Sequence, residues 1–581
     1  MEIIYKIKAH KPYAHIFKIE LIIKKPEPKA QILSLPNWIA GSYLIRDFAK
    51  NIISIAAKAK DKKINIDKFD KNHWLIGPCS EELLIIYEVY AFDLSVRNAY
   101  LDDSRGFFNA NSVFLKVHNQ EQKPCSVEVY LPGNKLIDKK WNIASNLKLI
   151  NANNCSKTYY AKNYYELLDN PFEMSDFVVF SFKTDGICHE MLLSGNQNAN
   201  IKKLKKDLKK VCSYHINFFK AVPFNKYLFL VYVTPNGYGG LEHKASSSLI
   251  CSNDNLPKKY QTNINKNYAN FLALCSHEYF HAWWIKTIRP KSFMNLNLNK
   301  ETYSKELWIF EGFTSYYDEL SLVRTKLISS KHYLELLTAN IDRVYQNEGR
   351  LKQSLAESSF DAWIKFYKQD ENSHNTMVSY YTKGALLAFV IDIKIRMATN
   401  NSKSLDDAVK IIWKNFKNKG IDNDDMQNII YKISANKINA DFFADYLYGL
   451  KELPLKECFD YVGIDFKQKL KNKNKPSLSI TTSSKNGFAV IKRIDASFYS
   501  KKFALAVGDK IIAINDIEVN ENNLVSEVSK YPLGQKIKIT IFRRKELKHI
   551  NLKLQASNKK FAKLKLKKHN IKRRKKWLYG I

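Results

Sequence analysis

Two histidines and one glutamate in the stretch FLALCSHEYFHAWW have the spacing of a catalytic metal site. His277 and His281 are four residues apart, and Glu278 directly follows the first of them. On an α-helix, residues four apart lie on one face, so both imidazoles can bind one metal ion. Zinc is the expected ion, because in catalytic sites it takes three protein ligands and keeps a position for water. Glu278 would then be the general base that deprotonates this water. The alternative is an aromatic-rich core helix in which the two histidines are incidental.

The third ligand is expected among the glutamates that follow this motif. Glu301 and Glu306 lie in the polar stretch NKETYSKEL, where a carboxylate can simply face water. Glu311 interrupts the apolar run LWIFEGFTSYY, which is typical of a buried helix, and a lone carboxylate there needs a metal or a cation. We therefore predict Glu311 as the third ligand. Asp318 lies seven residues later on the same helical face, where it either accepts a hydrogen bond from a ligand histidine or faces solvent.

These two segments resemble a known enzyme family. HEYFHAWWIKTIRP followed by LWIFEGFTSYY is similar to the glycyl aminopeptidase family of zinc peptidases, which are gluzincins related to aminopeptidase N. The N-terminal stretch WIAGSYLIRDFAKNI and a C-terminal segment similar to a PDZ domain extend the resemblance over most of the chain. The resemblance implies a zinc-dependent aminopeptidase with one zinc ion per chain. Its substrates would be peptides with a free N-terminus, from which it removes a small residue, Gly or Ala.

The resemblance also implies residues that hold the substrate. The Gly-rich segment GYGGLEH follows an apolar strand, and in this family such a segment lies along the bound peptide. By this resemblance Glu242 holds the α-amino group of the substrate, while Gly239 and Gly240 give backbone contacts. The alternative is a plain turn with a solvated Glu–His pair.

A tyrosine for the transition state is implied in the same way. The segment SYYTKG contains a pattern similar to the Y-x-K-G motif of the aminopeptidase N relatives. In those enzymes the phenol O–H stabilises the oxyanion that forms when water attacks the peptide carbonyl. This role falls on Tyr381, with its neighbour Tyr380 as the rival. The alternative is two aromatic core residues at the start of a helix.

The composition is that of a globular protein with reduced cysteines. The chain has 581 residues, of which 45% are hydrophobic, and its eight cysteines show no C-x-x-C pairing. The formal net charge is +36, but lysines are spread along the whole chain, so we expect no specific nucleic-acid binding. The sequence shows no secretory h-region and no run of 18 apolar residues. We therefore expect a soluble, cytoplasmic protein without a membrane span. No pattern indicates an oligomeric state.

The order of patterns along the chain predicts a multidomain α+β protein. Short β-like runs come first, helical periodicity dominates after Lys331, and GDKIIAINDIEV is similar to the hallmark of a PDZ domain. The last segment is strongly basic and is expected to be a solvated tail. The predicted domains are an N-terminal β-sandwich-like domain (1–167), a thermolysin-like zinc peptidase domain (168–330), a helical subdomain that completes the active site (331–470), a PDZ-like domain (474–556) and a basic tail (557–581).

The PDZ-like segment predicts a module that binds a peptide or protein partner, feeds substrate to the active site or only packs on the catalytic domain. Such domains add an extended peptide or protein segment to a sheet edge and hold its carboxylate on backbone N–H groups. We expect this carboxylate loop at Asn486, Gly487 and Phe488. One rival interpretation of the whole chain is therefore a peptide-binding scaffold with a little-used zinc site, although retention of Glu278 argues for catalysis. A second rival is a zinc endopeptidase, and Glu242 is the residue that discriminates it from an aminopeptidase.

Overall fold

The computed structural model describes the chain in five ranges and divides it into two compact units. The first unit comprises Met1–Tyr303, Tyr317–Ile328 and Ile412–Ile421, and the second comprises Ser304–Tyr316, Ser329–Ile411 and Asp422–Ile581. Among the residues described, no helix combines the length and the apolar character needed to cross a membrane. The described ranges are 1–133, 141–470, 475–496, 504–557 and 559–580, so residue 474, the predicted start of the PDZ-like domain, lies outside them.

The N-terminal part of the first unit is rich in β-strands, as predicted. Alternation of apolar and polar residues buries every second side chain of the first two strands, which is the pattern of a strand with one face on a core. The strands form an eight-stranded sheet with the order β14-β15-β12-β1-β2-β8-β4-β5 and two four-stranded sheets, β13-β16-β10-β9 and β11-β3-β7-β6. The elements are β1 (Ile3–Lys11), β2 (Ile16–Ile23), β3 (Gln31–Ser34), β4 (Ile52–Ala59), β5 (Lys62–Ile64), β6 (Ile66–Lys68), β7 (His73–Ile76), β8 (Leu83–Tyr90), β9 (Ala99–Leu101), β10 (Arg105–Phe108), β11 (Lys116–Val117), β12 (Cys125–Tyr130), β13 (Asn142–Ala144), β14 (Lys148–Ala152), β15 (Ser156–Ala161), α1 (Tyr164–Leu168) and β16 (Phe172–Ser175).

A five-stranded sheet with helices follows in the same unit. Its order is β17-β18-β19-β21-β20, and β18, β19 and β21 run parallel, whereas the end strand β20 pairs antiparallel with β21. This end strand is the Gly-rich segment predicted to lie along the substrate. The elements are β17 (Val178–Thr184), β18 (Ile187–Ser194), α2 (Ile201–Phe219), β19 (Lys226–Thr234), β20 (Gly239–Glu242), β21 (Ser246–Ser252), α3 (Lys266–Phe280) and β22 (Arg289–Pro290).

A helical region comes next along the chain, as the 3.6-residue periodicity predicts. It begins with a π-helix at Trp308–Gly312, which continues directly into an α-helix. The further elements are α4 (Phe313–Arg324), α5 (Ser330–Tyr345), α6 (Leu355–Phe360), α7 (Ser373–Thr376), α8 (Thr382–Ala398), α9 (Leu405–Phe416), β23 (Gly420–Ile421), α10 (Asn423–Ile433), α11 (Ala440–Phe443) and α12 (Leu455–Tyr461).

The C-terminal part of the second unit is built around a six-stranded sheet. Its strand order is β26-β27-β28-β30-β31, with β29 paired to β28. The elements are β24 (Ile464–Leu470), β25 (Pro476–Ser477), β26 (Ile480–Lys485), β27 (Phe488–Ile494), β28 (Lys510–Ile514), β29 (Ile517–Glu518), α13 (Leu524–Val528), β30 (Lys536–Arg543), β31 (Glu546–Lys553), β32 (Gln555–Ala556), β33 (Lys560–Leu566) and α14 (Ile571–Tyr579).

The segment predicted to form the carboxylate loop is a turn between two strands. Asn486 and Gly487 both have positive φ, +52° and +80°, and form the two-residue turn that joins β26 to β27, with Phe488 opposite Lys485. The predicted carboxylate loop is therefore the tip of a hairpin, because Asn-Gly is the preferred sequence for such a turn.

The segment predicted as a solvated tail is instead folded. Strand β33 pairs antiparallel with β24, and helix α14 places Trp577 in the core with none of its surface exposed. Burial of a large aromatic side chain lowers the free energy of the folded state. The neighbouring lysines oppose this little, because their charged groups can remain at the surface.

Candidate metal centre and active site

Helix α3 presents the two motif histidines at its C-terminal end. Its first turn is capped by the side chain of Asn265, which accepts a hydrogen bond from the Tyr268 N–H, and its interior contains no Gly or Pro. Because of the four-residue spacing, the rings of His277 and His281 are neighbours, with centroids 4.7 Å apart. His281 is the C-cap residue, so the metal site predicted from the sequence lies where the helix ends.

Hydrogen bonds fix the orientation of both imidazoles. Nδ1 of His277 is 3.0 Å from Oδ2 of Asp318, and Nδ1 of His281 is 3.0 Å from the carbonyl oxygen of Trp284. Both partners are acceptors, so each Nδ1 carries the proton and each Nε2 keeps a lone pair. This is the arrangement that metal-binding histidines need, and it fits the pair to zinc.

The loop after helix α3 holds the second of these acceptors. Ile285 follows Trp284 and has φ of +84°, which is unusual for a β-branched residue. Its N–H donates to the carbonyl of Ile288 over 2.8 Å, and the Lys286 N–H donates to the carbonyl of His281 over 3.1 Å. Such a conformation costs about 1–3 kcal/mol and persists only where the surrounding contacts hold it.

The first unit contains three side chains that together have the chemistry to hold a cation. They are Glu242, Glu278 and His281, whose ligand atoms all lie within 4.8 Å of one another. Two buried carboxylates next to a histidine give this pocket a negative electrostatic potential. Such a pocket can bind a metal ion or an ammonium group.

Gly240 makes room for the predicted general base. A Cβ atom at this position would lie 2.1 Å from Oε1 of Glu278, so the carboxylate would have to move. Gly240 belongs to the end strand β20, and its carbonyl oxygen accepts a hydrogen bond of 3.0 Å from Nη2 of Arg97. The glycine therefore allows the strand backbone to approach the carboxylate closely.

Glu242 is buried and lies at the end of the same strand. Its side chain is 4% exposed, and its Oε1 makes no hydrogen bond with any residue that the structure describes. Gly41, with φ of +99°, packs against it so closely that a Cβ there would be 2.5 Å from Oε1. Glu242 also lines a cavity of about 1120 Å³, whose wall includes Trp38 and Phe293.

Gly41 was not among the functional residues predicted from the sequence, although it lies in the family-like stretch WIAGSYLIRDFAKNI. The signal was present, because a glycine between WIA and SY is a candidate for positive φ or close approach. The identity of the carboxylate that approaches it could not be read from the sequence, since Gly41 and Glu242 are distant along the chain.

In the second unit, Glu311 lies within the π-helix and is 2% exposed. π-Helical turns occur often at functional sites. The segment is anchored at Trp308, whose backbone N–H donates to Oγ of Ser359 over 3.0 Å and whose indole donates to Oδ1 of Asn423 over 2.9 Å.

Tyr381 immediately precedes helix α8 in the same unit. Its ring stacks on Phe366 at a centroid distance of 5.4 Å, and it is half-buried, whereas Tyr380 is fully buried. Gly384, one turn later, meets the residue after Glu311: a Cβ on Gly312 would lie 2.7 Å from the backbone of Gly384. The E-G and Y-x-K-G motifs therefore pack against each other through their glycines.

Comparison with known proteins identifies the family. Residues 4–176 match the Peptidase M61 N-terminal domain, and residues 270–387 match the M61 glycyl aminopeptidase domain. No curated protein matches the chain. The crystal structure of an aminopeptidase N family protein from Idiomarina loihiensis is 35% identical, with 99% of this chain and 100% of that chain covered at a TM-score of 0.94. An M1 zinc metallopeptidase from Deinococcus radiodurans is 10% identical, with 78% of this chain and 94% of that chain covered at a TM-score of 0.47. The chain therefore belongs to the M61 glycyl aminopeptidase family and is a peptidase.

Proposed function

We propose that the protein removes single residues from the free N-terminus of peptides, with His277, His281 and Glu311 as the zinc ligands. The observation that supports this most strongly is the pocket of Glu242, Glu278 and His281, whose ligand atoms lie within 4.8 Å of one another. One carboxylate suffices for a general base, so the second is available for the α-amino group. An endopeptidase has no use for a buried carboxylate at this place, since a chain that continues past the site carries no charge there.

Glu278 acts as the general base and then as the acid. Zinc, when bound, supplies a Lewis acid that polarises the peptide carbonyl and lowers the pKa of water. Glu278 takes one proton from the attacking water while the new C–O bond forms. It gives this proton to the peptide nitrogen as the C–N bond breaks, so the leaving amine departs neutral and the base is restored.

Glu242 binds the ammonium group of the substrate. Its carboxylate is buried, and Oε1 has no hydrogen-bond partner among the described residues, so an ammonium group would satisfy it. The wall formed by Gly41 leaves the carboxylate little freedom to turn away. Holding the amine in this way sets which carbonyl is attacked.

Tyr381 donates a hydrogen bond to the oxyanion of the transition state. Its half-buried ring, stacked on Phe366, supports this choice over the fully buried Tyr380. A donor held in a fixed place is effective because it costs no reorganisation during the reaction.

We also propose a preference for a small N-terminal residue, Gly or Ala, which the family name suggests. The cavity beside Glu242 has a volume of about 1120 Å³, which is large enough for a large N-terminal side chain. The substrates tested must therefore include large residues. Turnover of glycyl, alanyl and leucyl aryl amides tests the preference, and equal kcat/KM for leucyl and alanyl substrates would contradict it.

At the C-terminal sheet we propose peptide binding by strand addition. β26 is the end strand and pairs only with β27 among the strands that the structure describes. A labelled peptide with a free C-terminal carboxylate should bind, while its amidated form binds more weakly. Equal binding of the two forms would rule out recognition of the carboxylate.

The function itself is tested with Glu242→Ala and Glu278→Gln, both assayed on alanyl and N-acetyl-alanyl aryl amides. Loss of the buried charge partner costs about 2–5 kcal/mol, so Glu242→Ala should lower kcat/KM on the free amine by roughly 100-fold and spare the blocked substrate. Glu278→Gln should retain zinc and lose about 10²–10⁴-fold in kcat on both substrates. A wild-type enzyme that cleaves blocked substrates equally well would support the endopeptidase instead.

A further inference from the structure

Asp169 contacts two segments that adjoin the active site. It directly follows α1, and its Oδ1 lies 2.6 Å from Nζ of Lys286 and 3.5 Å from Nδ1 of His243. Its Oδ2 accepts a hydrogen bond of 2.9 Å from the backbone N–H of Lys244. One carboxylate therefore joins the loop after the metal-binding helix to the turn after strand β20.

On the side of the metal, the partner is Lys286. Its side chain is only 9% exposed. Lys286 directly follows Ile285, whose φ of +84° persists only where the surrounding contacts hold the backbone. The same loop provides the carbonyl of Trp284 that orients His281. The ion pair with Asp169 therefore holds the conformation on which this ligand depends.

On the side of the amine, the partners are His243 and Lys244. Both directly follow Glu242, and the His243 N–H donates to the carbonyl of Ser246 over 2.9 Å, which closes the turn. Burial acts to raise the pKa of Asp169, but Lys286 and His243 lower it well below its usual range, so the carboxylate is ionised at neutral pH.

We propose that Asp169, with Lys286, is a positioning residue that fixes the distance between the amine acceptor Glu242 and the metal ligand His281. This inference rests on the proposed function. The distance determines which bond is cut, because the ammonium group and the attacked carbonyl of an α-amino acid are separated by a single carbon. A β-amino acid adds one methylene between them, so a rigid site rejects it and a loosened site rejects it less.

The test compares wild type with Asp169→Asn, Lys286→Met and Lys286→Arg. Each is assayed for kcat and KM on alanyl, β-alanyl and N-acetyl-alanyl aryl amides, and zinc loss to a chelator is followed separately. Lys71→Met, which breaks the exposed pair with Asp47, is the matched control and should behave as wild type.

For Asp169→Asn and Lys286→Met we expect kcat/KM on the alanyl substrate to fall about 10-fold or more, while the ratio of alanyl to β-alanyl turnover falls with it. Zinc should also be lost faster, and Lys286→Arg should restore both values towards wild type. An unchanged alanyl to β-alanyl ratio in folded Lys286→Met, with unchanged zinc loss, would overturn the inference. If Asp169→Asn fails to fold, the two Lys286 variants decide. A wild type without preference for the free amine would reject the proposed function itself, whereas a variant-specific failure rejects only the role of Asp169.

Discussion

At the scale of single residues, two glycines of the first unit lie directly against buried carboxylates. Gly240 faces Glu278 and Gly41 faces Glu242, and in each case an added Cβ would lie within 2.5 Å of a carboxylate oxygen. Because these two positions have no side chain, both carboxylates can lie close to one histidine. The proposed chemistry would therefore depend on glycines, which have no side-chain functional group.

Gly240→Ala should impair catalysis without releasing the metal. The new Cβ would lie 2.1 Å from Oε1 of Glu278 and would push the base out of position. Because a displacement of about 1 Å can cost 10²-fold, we expect kcat to fall roughly 100-fold while zinc content is retained. Gly133→Ala is the matched control, since no atom of the described residues lies within 4 Å of its Cβ position. Normal kcat in Gly240→Ala would show that Glu278 is not the base.

Asp318→Ala should weaken zinc binding. The side chain is 3.0 Å from Nδ1 of His277, and removing it takes away the carboxylate that orients this ring. Loss of such a partner typically costs about 10–100-fold in metal affinity, and chelator competition measures it directly. An affinity equal to that of wild type would mean that His277 is held in place by other contacts.

Candidate residues for the chemistry could be proposed from the sequence, whereas their surroundings could not be predicted. The spacing of His277 and His281 follows from helix geometry alone, and the apolar run around Glu311 indicated its burial. Gly41 and Asp169 lie far along the sequence from the groups they contact. Contacts of this kind depend on the tertiary fold, which periodicity and spacing do not encode.

At the scale of elements, two helical segments are joined by a close backbone contact. The π-helix that contains Glu311 crosses the start of α8 at Gly312 and Gly384, where a Cβ on Gly384 would lie 2.9 Å from Cα of Gly312. Only glycine on both sides permits this approach. The contact fixes Glu311 and Tyr381 relative to each other within the second unit.

Gly384→Ala should therefore disturb both segments together. Overpacking of this kind costs typically about 1–3 kcal/mol in stability, and we also expect kcat to fall because Glu311 and Tyr381 are displaced. Gly312→Ala should give the same result, and the double variant should cost less than the sum, since both strain one contact. Denaturant unfolding and steady-state kinetics measure these effects. Additive losses would show that the two glycines act independently.

At the scale of elements, three segments differ in how much of their structure could be predicted from local sequence signals. Asn486 and Gly487 are the preferred pair for a two-residue hairpin turn, and the structure has this turn. The many lysines and arginines of the basic segment predicted a solvated tail. The segment folds because Trp577 is fully buried. The π-helix at Trp308–Gly312 has no distinct sequence pattern, so only an ordinary helix could be expected.

At the scale of the whole molecule, the C-terminus is connected to the helical region of the second unit. The indole N–H of Trp577 donates to the hydroxyl of Tyr316 over 2.9 Å, and that hydroxyl donates to Oδ2 of Asp392 over 2.7 Å. Asp392 is itself buried and bonded to Nε of Arg396 over 3.0 Å. The last helix therefore completes a buried polar network, while its lysines are exposed at the surface.

Trp577→Ala should destabilise the helical region more than its position near the C-terminus suggests. Removing a fully buried tryptophan typically costs about 3–5 kcal/mol, and Tyr316 would also lose its hydrogen-bond donor. Denaturant unfolding followed by far-UV circular dichroism should show a lower midpoint, while Lys575→Ala, exposed on the same helix, should leave it unchanged. Tyr316 lies five residues after Glu311 on a continuous helical segment, so zinc loss to a chelator should also accelerate. Equal midpoints for Trp577→Ala and wild type would mean that α14 can leave its site without loosening the helices beneath it.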